Sequence, residues 1–427
     1  MDRPPGLFYV VLRRRLPAIL IASTLLSAAP GAAQSAREQA WREDVAFFAH
    51  EFAARQLDFA KLYPRERFDR DLDALTRSIP TATDADLVLA LMRLVASAHV
   101  GHTYVRAPTD GPLAFHRLPV GFQWFADGLA VTAATDPNRA ALGLRVTSIG
   151  SLPPEKLEAA IAQYVAYEDD AWLHPQSQTF MVMEEVLRAA GQVDAAGHVV
   201  ISLARADGTT MTLSVTPTAW NDHPPLVTAV EALRLPIGLA LVESKRYYRY
   251  EILPATKTLY IRYSKCADDP QQPFAAFAND LFAAVDTNPS ALDRVVVDLR
   301  ANGGGDSTVI KPLIEGLRAR KSLSAKGKLY VLVGPATFSS GLLAAIDLRH
   351  DVDAIAVGEP PGEKLNSYGE VRPLTLPHSQ LLVQYSTKYF KLLNGSKAGF
   401  EPDITVRTTI GEWLAGRDPV LEAAIKR

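Results

Sequence analysis

The sequence predicts a mixed α/β protein built from a helical segment, a small strand-rich unit and a C-terminal α/β domain. Three observations predict it. The length of 427 residues exceeds one ordinary core, for which roughly 100–200 residues suffice. Apolar residues recur at helical spacing early in the chain and in short β-rich runs after residue 118. From Lys257 onward, predicted strands and helices alternate, as in parallel βαβ units. Hydrophobic residues make up 48% and charged residues 22%, a globular balance that argues against extensive disorder. The formal charge of −2 and the absence of a Lys/Arg block after the first residues leave no electrostatic footprint for nucleic acid.

The first residues read as an export signal. Arg13-Arg14-Arg15 precede an apolar run from Leu16 to Ala29, followed by the small residues Gly31 and Ala33. Cleavage is expected after Ala33, so residues 1–33 stand apart from the fold. The run of about 14 apolar residues is short of the roughly 20 that span a bilayer. A secreted or periplasmic mature protein follows. Cys266 is the single cysteine, so no intramolecular disulfide can form in an oxidising compartment.

Residues 34–110 form the expected helical unit. Trp41, Val45, Phe48 and Phe52 lie on one helical face, and Leu87 to Val95 form a second apolar stretch. Residues 118–217 form the second unit, with strands at Val120–Phe125, Leu129–Ala134 and Leu144–Ile149 and a helix over Pro154–Val165. A hairpin of Val199–Ala204 and Thr210–Val215 closes it around Asp207-Gly208. In its order of strands and one helix this unit resembles a degenerate PDZ-like module. Residues 218–247 are a connector, and 248–427 the α/β domain, whose functional loops are expected at the carboxyl ends of its strands.

Two such loops carry chemistry. In the first, Val295-Val296-Val297-Asp298-Leu299-Arg300-Ala301-Asn302 runs into Gly303-Gly304-Gly305. Glycines there let the backbone approach a ligand and offer its amides to a developing oxyanion, or they simply make a tight turn. In the second, strand Leu329–Val333 leads through Gly334-Pro335-Ala336-Thr337-Phe338 to Ser339 and Ser340 at the start of a helix. A hydroxyl at that junction is a nucleophile in the field of the helix dipole, or an N-cap.

Taken together, the loops resemble those of the tail-specific, or C-terminal processing, serine peptidases, relatives of tricorn core protease and of retinoid-binding proteins of the eye. Asp298-Leu299-Arg300-Ala301-Asn302-Gly303-Gly304-Gly305 matches their Asp-Leu-Arg-x-Asn-x-Gly-Gly, and Thr337-Phe338-Ser339-Ser340 matches their Thr-Ala-Ser-Ala. The resemblance implies a ClpP/crotonase-like catalytic domain, with Ser339 as nucleophile and the N–H groups of Gly304 and Ser340 as the oxyanion hole. It also implies a peptide or protein substrate, held by its free C-terminus if the PDZ-like unit binds one, and no cofactor.

Two candidates compete for the base. Lys364 follows Ser339 by 25 positions, the family's offset, in Gly358-Glu359-Pro360-Pro361-Gly362-Glu363-Lys364. A lysine ordinarily titrates near ~10.4 and must fall to about 7 to act as a base, and Glu363 beside it works against that. His102, in Gly101-His102-Thr103, corresponds to the histidine of tricorn-like relatives and needs almost no such change. The offset favours Lys364; proton energetics favour His102. On balance the offset tips the reading to Lys364.

Other chemistries lack their motifs. His99 and His102 can share a helix face, but no His-Glu-x-x-His is present, so no metal site is expected. No phosphate loop or dinucleotide fingerprint occurs. Leu365–Glu370 and Gln384–Tyr389 either line a cleft or form an edge strand. The main alternative to an enzyme is a binding protein that keeps the fold to hold a peptide or apolar ligand. Nothing in the sequence sets an oligomeric state.

Overall fold

The computed structural model describes residues 30–235, 245–392 and 399–426. The expected signal peptide lies outside them, apart from residues 30–33, which begin the helix Pro30–Arg55. That helix packs with Arg65–Ser78 and Asp84–Ala96. The apolar face read from the sequence is the one buried: Trp41, Val45, Phe48 and Phe52 join Leu87, Leu91 and Val95 in a single core. Thr83 caps the last of these helices through a reciprocal bond with Asp86, which fixes where it starts. It ends at Ala96, earlier than the spacing of His99 and His102 requires. His99 is left-handed at φ 52°, so the two histidines share no helix face.

The second unit is an antiparallel sheet in which Val120–Phe125, Gly128–Ala134, Arg145–Ile149, Val199–Ala204 and Thr210–Val215 pair in chain order. The hairpin turns at Gly208, φ 84°, a conformation that glycine adopts without penalty. Helix Pro154–Ile161 lies where the sequence places one. The helices Asp170–Phe180 and Glu184–Ala189 fall in a stretch to which the sequence reading assigns no element. Within the expected connector, Thr218–Ala219 pairs with His116–Arg117, and Val227–Thr228 adds to the antiparallel sheet.

Alternation of strands and helices in the C-terminal part gives a sheet in the order Tyr248–Leu253, Thr258–Tyr263, Arg294–Asp298, Leu329–Val333, Ile355–Gly358, Ile404–Thr405. The first pair is antiparallel and the others are parallel. Both faces of the central strands Arg294–Asp298 and Leu329–Val333 are covered, which is why these are apolar, whereas the edge strand Tyr248–Leu253 exposes Glu251. Val295, Val297 and Val331 meet the helices Phe274–Thr287, Lys311–Ala319 and Ser340–Val352. Their neighbours Val296, Tyr330 and Leu332 meet the C-terminal helix Pro419–Ile425.

One element crosses these divisions. The hairpin of Asn366–Thr375 and Leu382–Lys391 projects from the C-terminal part and pairs with Tyr104–Val105, with Tyr104 opposite Gln384. Its Leu374, Leu376, Leu381 and Val383 are buried in the core of the helical unit. This hairpin holds residue 102 beside the loop that carries Phe338 and Ser339.

Candidate active site

Ser339 sits between the Leu329–Val333 strand and the Ser340–Val352 helix at φ 55°, ψ −128°. An L-residue holds such a conformation only where its surroundings over-determine it. Thr337 Oγ1 donates to the Leu299 carbonyl (2.9 Å) and accepts the Gly334 N–H (3.1 Å), while the Phe338 N–H donates to the Asn302 carbonyl (3.0 Å). These bonds tie the serine loop to the glycine loop. The side chain of Ser339 makes no capping bond, whereas Ser340 Oγ donates to the Gly305 carbonyl (2.6 Å). Of the two serines, the second is tied down and the first keeps its hydroxyl.

Asn302, fully buried, organises the glycine loop. Its Nδ2 donates to the Tyr263 carbonyl, and its Oδ1 accepts the Gly304 N–H, both at 2.9 Å. Gly304, φ 105°, passes so near Ser339 that a Cβ there would lie 2.7 Å from Ser339 Cβ. The loop therefore stands where an oxyanion site needs it, but the Gly304 amide is engaged by Asn302. Ser340 opens its helix, so its N–H has no intrahelical acceptor and points along the positive end of the dipole.

The buried carboxylate of the site is Glu363, 5% exposed. Its Oε2 accepts the Ser339 N–H (2.5 Å), and its Oε1 accepts from Ser367 Oγ (2.6 Å) and lies 3.6 Å from His102 Nδ1. Burial pushes Glu363 up to about 7, against the bonds from Ser367 and Ser339 that favour its ionised form. His102 is 7% exposed and neither ring nitrogen makes a hydrogen bond; its ring stacks on Phe338 at 4.5 Å between centroids. Burial brings it down to about 4, so it is neutral at pH 7. Lys364 is partly exposed, with its backbone bridged to Gly399 and its charge near Glu168. Ser339, His102 and Glu363 are thus joined by a chain of contacts.

Three comparisons bear on this arrangement. No protein-family model and no curated protein matches the sequence. Among solved structures, mature CPAF complexed with lactacystin aligns over 92% of this chain and 98% of its own, at a TM-score of 0.62 and 11% identity. The fold matches that of mature CPAF. A photosystem II D1 C-terminal processing protease aligns over 87% and 93% of the two chains, at 0.41 and 13% identity. The tricorn protease aligns over 92% of this chain and 36% of its own, at 0.45 and 14%.

Within this CPAF-like fold the Asp-Leu-Arg run has a structural role. Arg300 binds Asp298 and, through two further bonds of 2.8 Å, Asp418, while Tyr260 Oη donates to Asp298. Burial opposes ionisation of Asp298, yet the Arg300 charge and hydrogen bonds outweigh it and hold the carboxyl below its usual range. The ion pair anchors the C-terminal helix beneath the glycine loop. A cavity of about 710 Å³ opens beside it, lined by Trp124, Phe125, His174, Trp413 and the Val333–Ala336 run that leads to Ser339. Among the described residues, one group gathers three ligands within reach of a cation: His116, Glu184 and Glu185, all partly exposed. It includes none of the residues around Ser339.

Proposed function

We propose that this chain is an exported serine peptidase that cleaves amide bonds through an acyl-enzyme on Ser339, with His102 as base. The observation that carries this reading is the Glu363 carboxylate, which holds the Ser339 N–H with one oxygen and faces His102 Nδ1 with the other. With Nδ1 turned to the carboxylate, Nε2 is the proton acceptor for Ser339 Oγ. The alkoxide then attacks the substrate carbonyl, the Ser340 N–H stabilises the oxyanion, and the imidazolium returns its proton to the leaving amine. Gly304 contributes a second donor only by sharing its N–H with Asn302 Oδ1. Water repeats the sequence on the ester.

Lys364 has the family's offset but not the burial a lysine base needs; the buried member of the pair is Glu363. The C-terminal sheet and its crossovers support the ClpP/crotonase-like reading, and the second unit's sheet with helix Pro154–Ile161 supports the PDZ-like one. If that unit holds a free carboxylate, substrates are processed from their C-termini. Amidating a substrate's C-terminus should then slow cleavage; equal rates would remove this part. For export, the mature N-terminus should read Gln34.

A fluorophosphonate probe should label the mature protein at Ser339, and Ser339→Ala should abolish labelling. His102→Ala should lower turnover by about 10²- to 10⁴-fold, as loss of a proton-transfer base does. Lys364→Ala should stay within a few-fold of wild type, and the opposite pattern would assign the base to lysine. The cavity favours one second reading, a binding protein without turnover, which co-purified peptide and no labelling would support.

A further inference from the structure

Neither ring nitrogen of His102 makes a close hydrogen bond, with Glu363 3.6 Å from Nδ1 and the Tyr368 backbone nearby, so its pose leans heavily on packing. Part of that packing reaches it from outside the C-terminal domain, by way of Phe338 on the serine loop. Trp172, in the helix Asp170–Phe180 of the second unit, stacks on Phe338 at 4.1 Å and 15°, and Phe338 stacks in turn on His102 at 4.5 Å and 30°. The indole is also wedged against both loops that carry the other groups. A Cβ on Gly101 would lie 3.0 Å from Phe338 Cζ and 3.7 Å from Trp172 Cδ1. One on Gly362 would lie 2.6 Å from Trp172 Cε3. Neither glycine has a positive φ, so close approach, not backbone conformation, is what demands glycine there. These glycines directly precede His102 and Glu363.

The same segment adds a polar tie, since Glu168 Oε1 accepts the Gly101 N–H (3.2 Å). On its other sides His102 meets the Glu363 carboxylate and the backbone of Tyr368-Gly369, with Gln384 Nε2 on its carbonyl (3.1 Å). Glu168 and Lys364 are the charged groups behind that shell.

We propose that Trp172 is a positioning residue: through Phe338 it fixes the His102 imidazole against Glu363, so that the second unit completes the active site. Its consequence for turnover rests on the serine peptidase reading; its effect on the imidazole does not. The test compares Trp172→Phe, which keeps a ring, with Trp172→Leu and Trp172→Ala, which do not. Two readouts are taken, the NMR titration of His102, assigned with His102→Ala, and the kinetics of peptide turnover.

Wild type should titrate at His102 near the value of about 4 that burial imposes. Leu and Ala should move it toward the ordinary ~6.5 and lower kcat by about 10²-fold with KM little changed, as misplacement of a reacting group does. Phe should restore most of both. If Ala fails to fold, Leu decides. An unshifted His102 titration in folded Leu or Ala variants overturns the proposal, whatever the activity. Absence of Ser339 labelling in wild type would sink the peptidase reading and leave the titration to judge the positioning role.

Discussion

At the scale of single residues, the site turns on two neighbours that face opposite ways. Glu363 is buried against Ser339 and His102, whereas Lys364 beside it is partly exposed. The sequence places both in the right loop but leaves open which one faces inward, and so Glu363 reads there only as a hindrance to Lys364. Its position predicts a pH dependence. Glu363 is brought up to about 7 by burial, and its ionised form would favour the imidazolium that His102, the proposed base, forms in the transition state. The kcat/KM of wild type should therefore rise through about pH 7 as Glu363 loses its proton. Glu363→Gln should lose that limb, and superimposable wild-type and variant profiles would remove Glu363 from the mechanism. Ser339 was legible as a residue type at a strand–helix junction. Its freedom from the capping role was not, because that depends on the bond its neighbour Ser340 makes to Gly305.

Among the elements, the alternating strands and helices of the C-terminal half were legible because the central strands are apolar on both faces and helices such as Lys311–Ala319 bury one face. The hairpin Asn366–Lys391 was not, because local pattern cannot say that its buried face belongs to a core formed by residues some 300 positions earlier. The glycine loop and the serine loop were legible as motifs, while the contact between them shows only in space. Gly341 marks that contact: a Cβ there would lie 2.3 Å from the Asn302 carbonyl oxygen. Neither side can yield cheaply, since Asn302 is bonded to Tyr263 and Gly304, and Gly341 lies in the first turn of its helix. Gly341→Ala should cost about 1–3 kcal/mol, as overpacking a core does, and push the loops apart. Urea unfolding measures the first effect and the rate of fluorophosphonate labelling the second; an unchanged midpoint and rate would mean that the loops are not in contact as described.

For the whole molecule, burial of ionisable groups at one junction sets how stability varies with pH. Glu168 is brought up to about 8 by burial, with Glu363 next in importance, and Glu363 itself to about 7. Below about pH 4.5 these carboxyls are protonated in both folded and unfolded chains. As pH rises through 7 and 8 the unfolded chain has already released protons that the folded chain retains, so their stabilisation is lost. His102, brought down to about 4, acts the other way between about 4 and 6.5, offsetting one of the two carboxyls there. From these groups the melting temperature should fall from about pH 4.5 to about 8, most steeply between about 6.5 and 7 where His102 no longer offsets a carboxyl, and Glu168→Gln should flatten the upper part of that fall. A variant profile parallel to wild type would show that Glu168 titrates normally. The crossing hairpin has a further consequence for how the chain comes into being. Residues 104–105 find their partner strand only at 382–391, so a polypeptide growing from its N-terminus presents His102 long before that strand exists. The proposed hydrolytic activity would switch on only when the late hairpin is threaded back, and until then the nascent chain would be unable to cleave itself or its neighbours.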